Sequence, residues 1–182
     1  HAGHRVALLA CDMRRPRVHK VFGFRNDLGV TTALIDLDSV EGIIHDTVVP
    51  NMKVICTGPI PPNPSELLHS VAFARLLADL KTRFDRIIID SPPIVPVTDG
   101  AILATQVDGT ILIVRAFKTS RDLVRRAKRT LNDVGARIVG SVLNAVELTR
   151  PEYGYYRYQY YRSEGGYGRE SGEHETSAPT GT

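Results

Sequence analysis

Five short apolar runs alternate along this chain with segments of helix length, and that alternation limits the fold more than any other feature. The runs fall at residues 5–10, 53–57, 86–90, 110–114 and 138–143, and they are apolar almost throughout rather than at every second position. Strands of that kind belong to sheets covered on both faces, whereas a half-solvated strand alternates. Between them lie helical patterns at 65–81, 100–106 and 121–134, with shorter turns near 18–22 and 30–35. Strand–helix alternation predicts an α/β layered domain with a mostly parallel sheet. The 65–81 segment opens on Pro64-Ser65-Glu66, a helix-start signal. Its Leu67, Leu68, Val71, Phe73, Leu76, Leu77 and Leu80 recur at helical spacing and are expected in the core.

The pattern stops at Thr149. All seven tyrosines then fall between Tyr153 and Tyr167, in PEYGYYRYQYYRSEGGYG, and the first 150 residues hold none. A folded domain spreads its tyrosines, because the ring fills space while the hydroxyl seeks a partner. The chain therefore divides into a domain over 1–148 and a tyrosine-cluster tail over 149–182. The end of that tail, ESGEHETSAPTGT, has a disorder-like composition. Many phenols on a flexible chain present hydroxyls to something that modifies them; stacking on bases is the second use.

Charge weighs against that second use. Residues 1–150 carry 20 Lys/Arg and 15 Asp/Glu, while residues 151–182 carry three and five. A net +3 is too small to argue for nucleic acid, and the tail is net negative, so no nucleic-acid partner is expected. Cys11 and Cys56 sit in apolar runs without metal-type spacing and read as buried, reduced thiols. No apolar stretch approaches the ~20 residues a membrane helix needs.

Open parallel sheets bind ligands at the carboxyl ends of their strands. RVALLACDMRRP delivers Asp12, Arg14 and Arg15 to such an end, and RIIIDSPP delivers Asp90. A hard cation wants carboxylate oxygen from a rigid element, which is how P-loop nucleotidases hold Mg²⁺. Alternatively, each Asp only caps or turns the chain after a buried strand; the two together favour a nucleotide–metal site. Arg14 and Arg15 either hold phosphate oxygens or solvate the rim. The proline-rich loop PPIVPVTD leads to Asp99, which can N-cap the next helix. Asn144, ending GSVLN, is a turn residue or an amide able to read an adenine edge.

RVALLACDMRRP, PPNPSELL, RIIIDSPP with VTD, VDGTILIVR, GSVLN and the tyrosine cluster occur in one order over nearly the whole chain. In this the sequence resembles the cytoplasmic domain of bacterial tyrosine kinases, P-loop-derived autokinases that accompany capsule and exopolysaccharide synthesis. The resemblance implies a P-loop NTPase-like fold and ATP with Mg²⁺ as cofactors. It implies Asp12 and Asp90 as catalytic metal-binding carboxylates, and Asn144 at the base. It implies Tyr153, Tyr155, Tyr156, Tyr158, Tyr160, Tyr161 and Tyr167 as autophosphorylation sites, used in trans between neighbouring subunits. It also implies a cytoplasmic protein at the inner face of the membrane, beside a membrane-anchored polysaccharide co-polymerase or activator segment.

Two departures qualify it. The family's second Walker motif reads D-x-D, and this chain reads Ala10-Cys11-Asp12. No G-x-x-x-x-G-K-[ST], the loop whose amides and lysine cradle phosphates, occurs anywhere. HAGHRVALLACD reads as the last turn of a helix followed by a strand, so a fragment starting just after that loop is expected rather than a natural loss. The competing identities are an inactive scaffold of the same fold, for which Ala10 speaks, and a ParA/MinD-like ATPase, against which the tyrosines speak.

Overall fold

A computed structural model describes residues 3–35 and 37–147. The tyrosine cluster and the rest of the tail lie outside the described residues. The elements run β1 (Val6–Ala10), α1 (Val18–Phe22), α2 (Val30–Ala33), a 3-10 helix (Leu37–Ile43), β2 (Ile44–Asp46), β3 (Met52–Ile55), α3 (Pro64–Leu68), α4 (Val71–Arg83), β4 (Arg86–Asp90), α5 (Asp99–Ala104), β5 (Thr110–Arg115), α6 (Arg121–Asp133) and β6 (Ile138–Asn144). All five anticipated strands form. The three-residue β2, too short to leave an apolar signature, is additional.

The helix expected over 65–81 is two. Ser70 interrupts it: its Oγ accepts from the Phe73 N–H at 3.2 Å and donates to the Leu67 carbonyl at 2.7 Å. One hydroxyl thus ends α3 and N-caps α4, a role its place inside an unbroken apolar pattern conceals. Leu68, Phe73, Leu76 and Leu80 are fully buried and Leu77 nearly so, but the break corrects the expected core: Leu67 is half-buried and Val71, the first residue of α4, is 69% exposed.

The strands form two sheets. The first has the order β2-β3-β1-β4, with β1 parallel to both β3 and β4 and β2 antiparallel at the edge; the second pairs β5 with β6 in parallel. The larger core lies under α3 and α4, where Leu9, Cys11 and Ile55 meet Phe73, Leu76 and Leu80. A smaller cluster of Ala10, Val54 and Cys56 on the opposite face is covered by Val18 of α1, with Phe22 and Phe24 packed against it.

That second cover stops at β1. Ile88 pairs in register with Leu8 and so shares its face, yet it is 56% exposed; Ile111 and Ile113 of β5 are 57% and 58% exposed. The expectation of strands covered on both faces therefore fails for β4, β5 and β6, the last with Val139, Val142 and Leu143 also exposed. Among the described residues, each also has only one hydrogen-bonded neighbour, so each presents an unpaired edge.

The carboxyl edge of β3 is locked to what precedes it. Val30 N–H donates to the Cys56 carbonyl and Thr31 N–H to the Thr57 carbonyl, both at 2.9 Å, while Thr57 Oγ1 donates to the Ala10 carbonyl at 3.1 Å. Gly29 makes this approach feasible. A Cβ there would stand 2.2 Å from the Cys56 carbonyl oxygen and 2.4 Å from the Gly58 nitrogen, both backbone atoms. Gly29→Ala is therefore expected to lose about 1–3 kcal/mol, as overpacking against rigid neighbours does. Urea unfolding followed by circular dichroism reads this directly, and a loss below about 0.5 kcal/mol would contradict the close contact.

Candidate functional site

The two carboxylates singled out from the sequence converge. Ala10, the last residue of β1, pairs with Asp90, the last residue of β4, and the Cys11 N–H donates to the Asp90 carbonyl at 2.8 Å. Asp12 then emerges one step beyond the same edge. Its Oδ1 accepts from the Arg14 N–H at 3.1 Å and the Arg15 N–H at 2.9 Å, so backbone amides of the following turn fix one of its oxygens. Asp12 thus does turn the chain after a buried strand, while standing beside a second acid.

The electrostatics register that juxtaposition. Desolvation first, and the charge of Asp12 second, raise the Asp90 carboxyl above its ordinary range. Asp90 nevertheless keeps an exposed surface, so water offsets part of that desolvation. Two like charges held at one sheet edge suit a divalent cation. Among the described residues, no three His, Cys, Asp or Glu side chains gather as a metal cage. The donor set fits Mg²⁺ in particular, which takes one or two carboxylates and fills its shell with water and phosphate oxygens.

The remaining anticipated residues separate. Arg14 does not stand free for a ligand: its Nε and Nη2 bind Asp99 Oδ2 and Oδ1 at 2.8 and 3.0 Å, and Nη2 also reaches Ser65 Oγ at 3.2 Å. Asp99 is not the cap of α5. The N-cap is Thr98, and the Asp99 carboxylate turns inward to Arg14 and to Ser65, whose Oγ donates at 2.6 Å. The Arg14 guanidinium, and then Ser65, hold that carboxyl below its usual range despite burial. Arg15 is exposed and, among the described residues, forms no ion pair. Asn144 ends β6 on the second sheet, paired with Arg115; its Oδ1 accepts from the Ala145 N–H at 2.8 Å, which is the turn role. Cys11 and Cys56 are buried and free, and burial raises both thiols, so neither offers a thiolate.

Ser65 and Asp99 escaped attention as partners because 34 residues separate them. Only Ser65 in PPNPSELL and the Asp of VTD hinted at them, and neither motif names the other.

No family model matches the chain. Over 156 residues it is 35% identical to the tyrosine-protein kinase CpsD of Streptococcus agalactiae, a match covering 85% of this chain and 68% of CpsD. The chain belongs to the bacterial tyrosine kinase family. It is also 34% identical over 159 residues to the tyrosine-protein kinase Wzc of Salmonella typhi, spanning 86% of this chain but 22% of Wzc. Among solved structures, the VpsO kinase domain aligns with a TM-score of 0.75 at 36% identity, over 80% of this chain and 72% of that one. The cell division ATPase MinD of Pyrococcus furiosus aligns with a TM-score of 0.64 at 20% identity, over 86% of this chain and 68% of its own, a likeness of fold alone. The fold is thus that of the P-loop NTPases, and at the level of sequence the relatives are tyrosine kinases rather than positioning ATPases. Among the described residues, no helix is long and apolar enough to cross a membrane.

Proposed function

We propose that this chain is the greater part of an ATP-dependent tyrosine autokinase domain that phosphorylates its own tyrosine cluster. The observation that carries the reading is the pair Asp12 and Asp90, brought by neighbouring parallel strands to one carboxyl edge. Asp12 and Asp90 would hold Mg²⁺, which, when bound with ATP, neutralises charge developing on the transferred phosphoryl group. The chain's own part is positional: β1 and β4 fix the carboxylates, and the amides of Arg14 and Arg15 orient Asp12. The phenol oxygen of an acceptor tyrosine gains the γ-phosphoryl group, ADP departs, and the phenol proton is released. Acceptors would be Tyr153, Tyr155, Tyr156, Tyr158, Tyr160, Tyr161 and Tyr167, presented to a neighbouring subunit. Asn144 would face the base and Arg15 the phosphates.

The edges of β4 and β5 that are unpaired among the described residues, with the exposed Ile88, Ile111 and Ile113, support a partial domain over 1–148. A strand, phosphate-binding loop and helix outside these 182 residues would complete it. Service to capsule or exopolysaccharide synthesis, at the inner face of the membrane with a membrane-anchored partner, is part of the same reading. Each phosphotyrosine would add about −1.5 to −2 charges to an already acidic tail, loosening an assembly of like tails.

Ala10 favours a second reading, an inactive scaffold. Its methyl is buried in the small cluster where the family's motif has a carboxylate. One experiment separates the two: the protein encoded by the full open reading frame is incubated with Mg²⁺ and ATP, and phosphotyrosine is mapped by mass spectrometry. Phosphate within residues 153–167 that disappears in Asp12→Asn is the expected result. Nucleotide binding without any phosphotyrosine would leave the scaffold.

A further inference from the structure

The ion pair between Arg14 and Asp99 ties the loop beside the candidate metal edge to the start of α5. Asp99 is wholly enclosed at the start of α5, with a side chain 0% exposed, while Arg14 lies on the loop after β1 and remains 40% exposed. The contact is bidentate, which fixes the guanidinium in plane as well as in distance. Ser65 at the start of α3 closes the assembly, accepting from Arg14 and donating to Asp99. Gly100 of α5 packs close to Ile94 of the preceding loop, since a Cβ on it would approach Ile94 Cδ1 to 3.2 Å.

Arg14 is thus held at both ends. Its side chain is anchored to α5 and α3, and its backbone N–H grips Asp12 Oδ1. A loop that wandered would carry that amide, and the neighbouring Arg15 amide, away from the carboxylate. We propose that Asp99 and Ser65 are positioning residues for Asp12, acting through Arg14 to hold its carboxylate where it can bind a divalent cation. This rests on the reading of Asp12 and Asp90 as the metal pair. It assigns Arg14 to the architecture of the site and leaves phosphate contact to other groups. Partners one step removed from a metal ligand commonly change metal affinity 10- to 100-fold.

The test uses the protein of the full open reading frame and Mn²⁺ as the probe. Bound Mn²⁺ is counted by electron paramagnetic resonance in the presence of ADP, and ADP affinity without metal is measured separately by calorimetry. Asp99→Asn keeps an oxygen for Arg14 but removes the charge, Ser65→Ala removes one anchor, and Arg14→Lys breaks the bidentate geometry while keeping the cation. Each is expected to weaken Mn²⁺ binding about tenfold with metal-free ADP affinity unchanged. Mn²⁺ affinity within twofold of the unsubstituted protein in the variants that keep their circular dichroism spectrum would overturn the proposal. So would a parallel fall in metal-free ADP affinity and melting temperature, since that marks a merely structural role. Asp12→Asn is the arm for the underlying reading: unchanged Mn²⁺ binding there removes the metal pair itself and the positioning role with it.

Discussion

Arg14→Ala is expected to cost about 3–5 kcal/mol of stability, because it strands a buried carboxylate. Asp99 has no access to water, and only Ser65 and its own backbone N–H would remain to it. For a chain of this size, that loss lowers the melting temperature by on the order of 10 °C. The reverse substitution is milder. In Asp99→Ala the surviving charge is on Arg14, which is 40% exposed and can turn to solvent, so the expected loss is about 1–2 kcal/mol. The inequality, rather than either value, identifies which partner is trapped.

Acid should narrow the gap. In the unsubstituted protein the Asp99 carboxyl is held low, chiefly by Arg14, so its contribution is present above the ordinary carboxylate value and is lost as pH falls through the depressed one. Without Arg14 that support is gone and burial favours the neutral acid. The deficit of Arg14→Ala is therefore largest near neutrality and shrinks as pH falls toward about 4. Thermal unfolding from pH 7 to pH 4 reads both effects. A deficit under about 1 kcal/mol, or one that grows in acid, would mean the carboxylate is solvated or otherwise paired.

Asp90→Asn is expected to move stability and chemistry in opposite directions. Desolvation and the charge of Asp12 raise the Asp90 carboxyl, so its ionised form costs stability at neutral pH. The amide removes that cost. A rise in melting temperature of about 1–3 °C at pH 7 without metal follows, kept small because Asp90 is partly open to water. The gain should fade as pH falls from the raised value toward the ordinary one near 3.9, where the unsubstituted carboxyl takes up a proton of its own. On the proposed metal role of Asp90, phosphotyrosine formed by the full-length protein should meanwhile fall at least about 100-fold. Stability that rises while phosphorylation falls is the signature of a residue kept strained for function. A variant that loses both would make Asp90 a structural residue.

How much of this was legible from the residues alone differs from element to element. β4 was read to the residue, because RIIID is an uninterrupted β-branched run closed by an acid and a proline pair. The positions of Asp12 and Asp90 at strand ends were equally plain, since apolar runs say where a strand stops. The break at Ser70 was hidden, because a cap inside a continuous apolar pattern produces no change of period. The split of the strands into two sheets was hidden too. Pairing is a choice among edges, and a run such as TILIVR carries no mark of which neighbour it takes.

The sequence by itself determined the periodicity, and through it the α/β class, the number of long strands and the edge at which acids gather. Local chemistry is enough for that, since burial of apolar runs and the end of a strand are properties of neighbouring residues. Only the tertiary structure decided which polar side chains meet. Arg14 read equally well as a phosphate ligand or a rim charge until Asp99, 85 residues away, was found to hold it. That contact exists because two loops leave the same side of one sheet, and a buried carboxylate at the start of α5 leaves the nearest guanidinium little freedom to serve elsewhere.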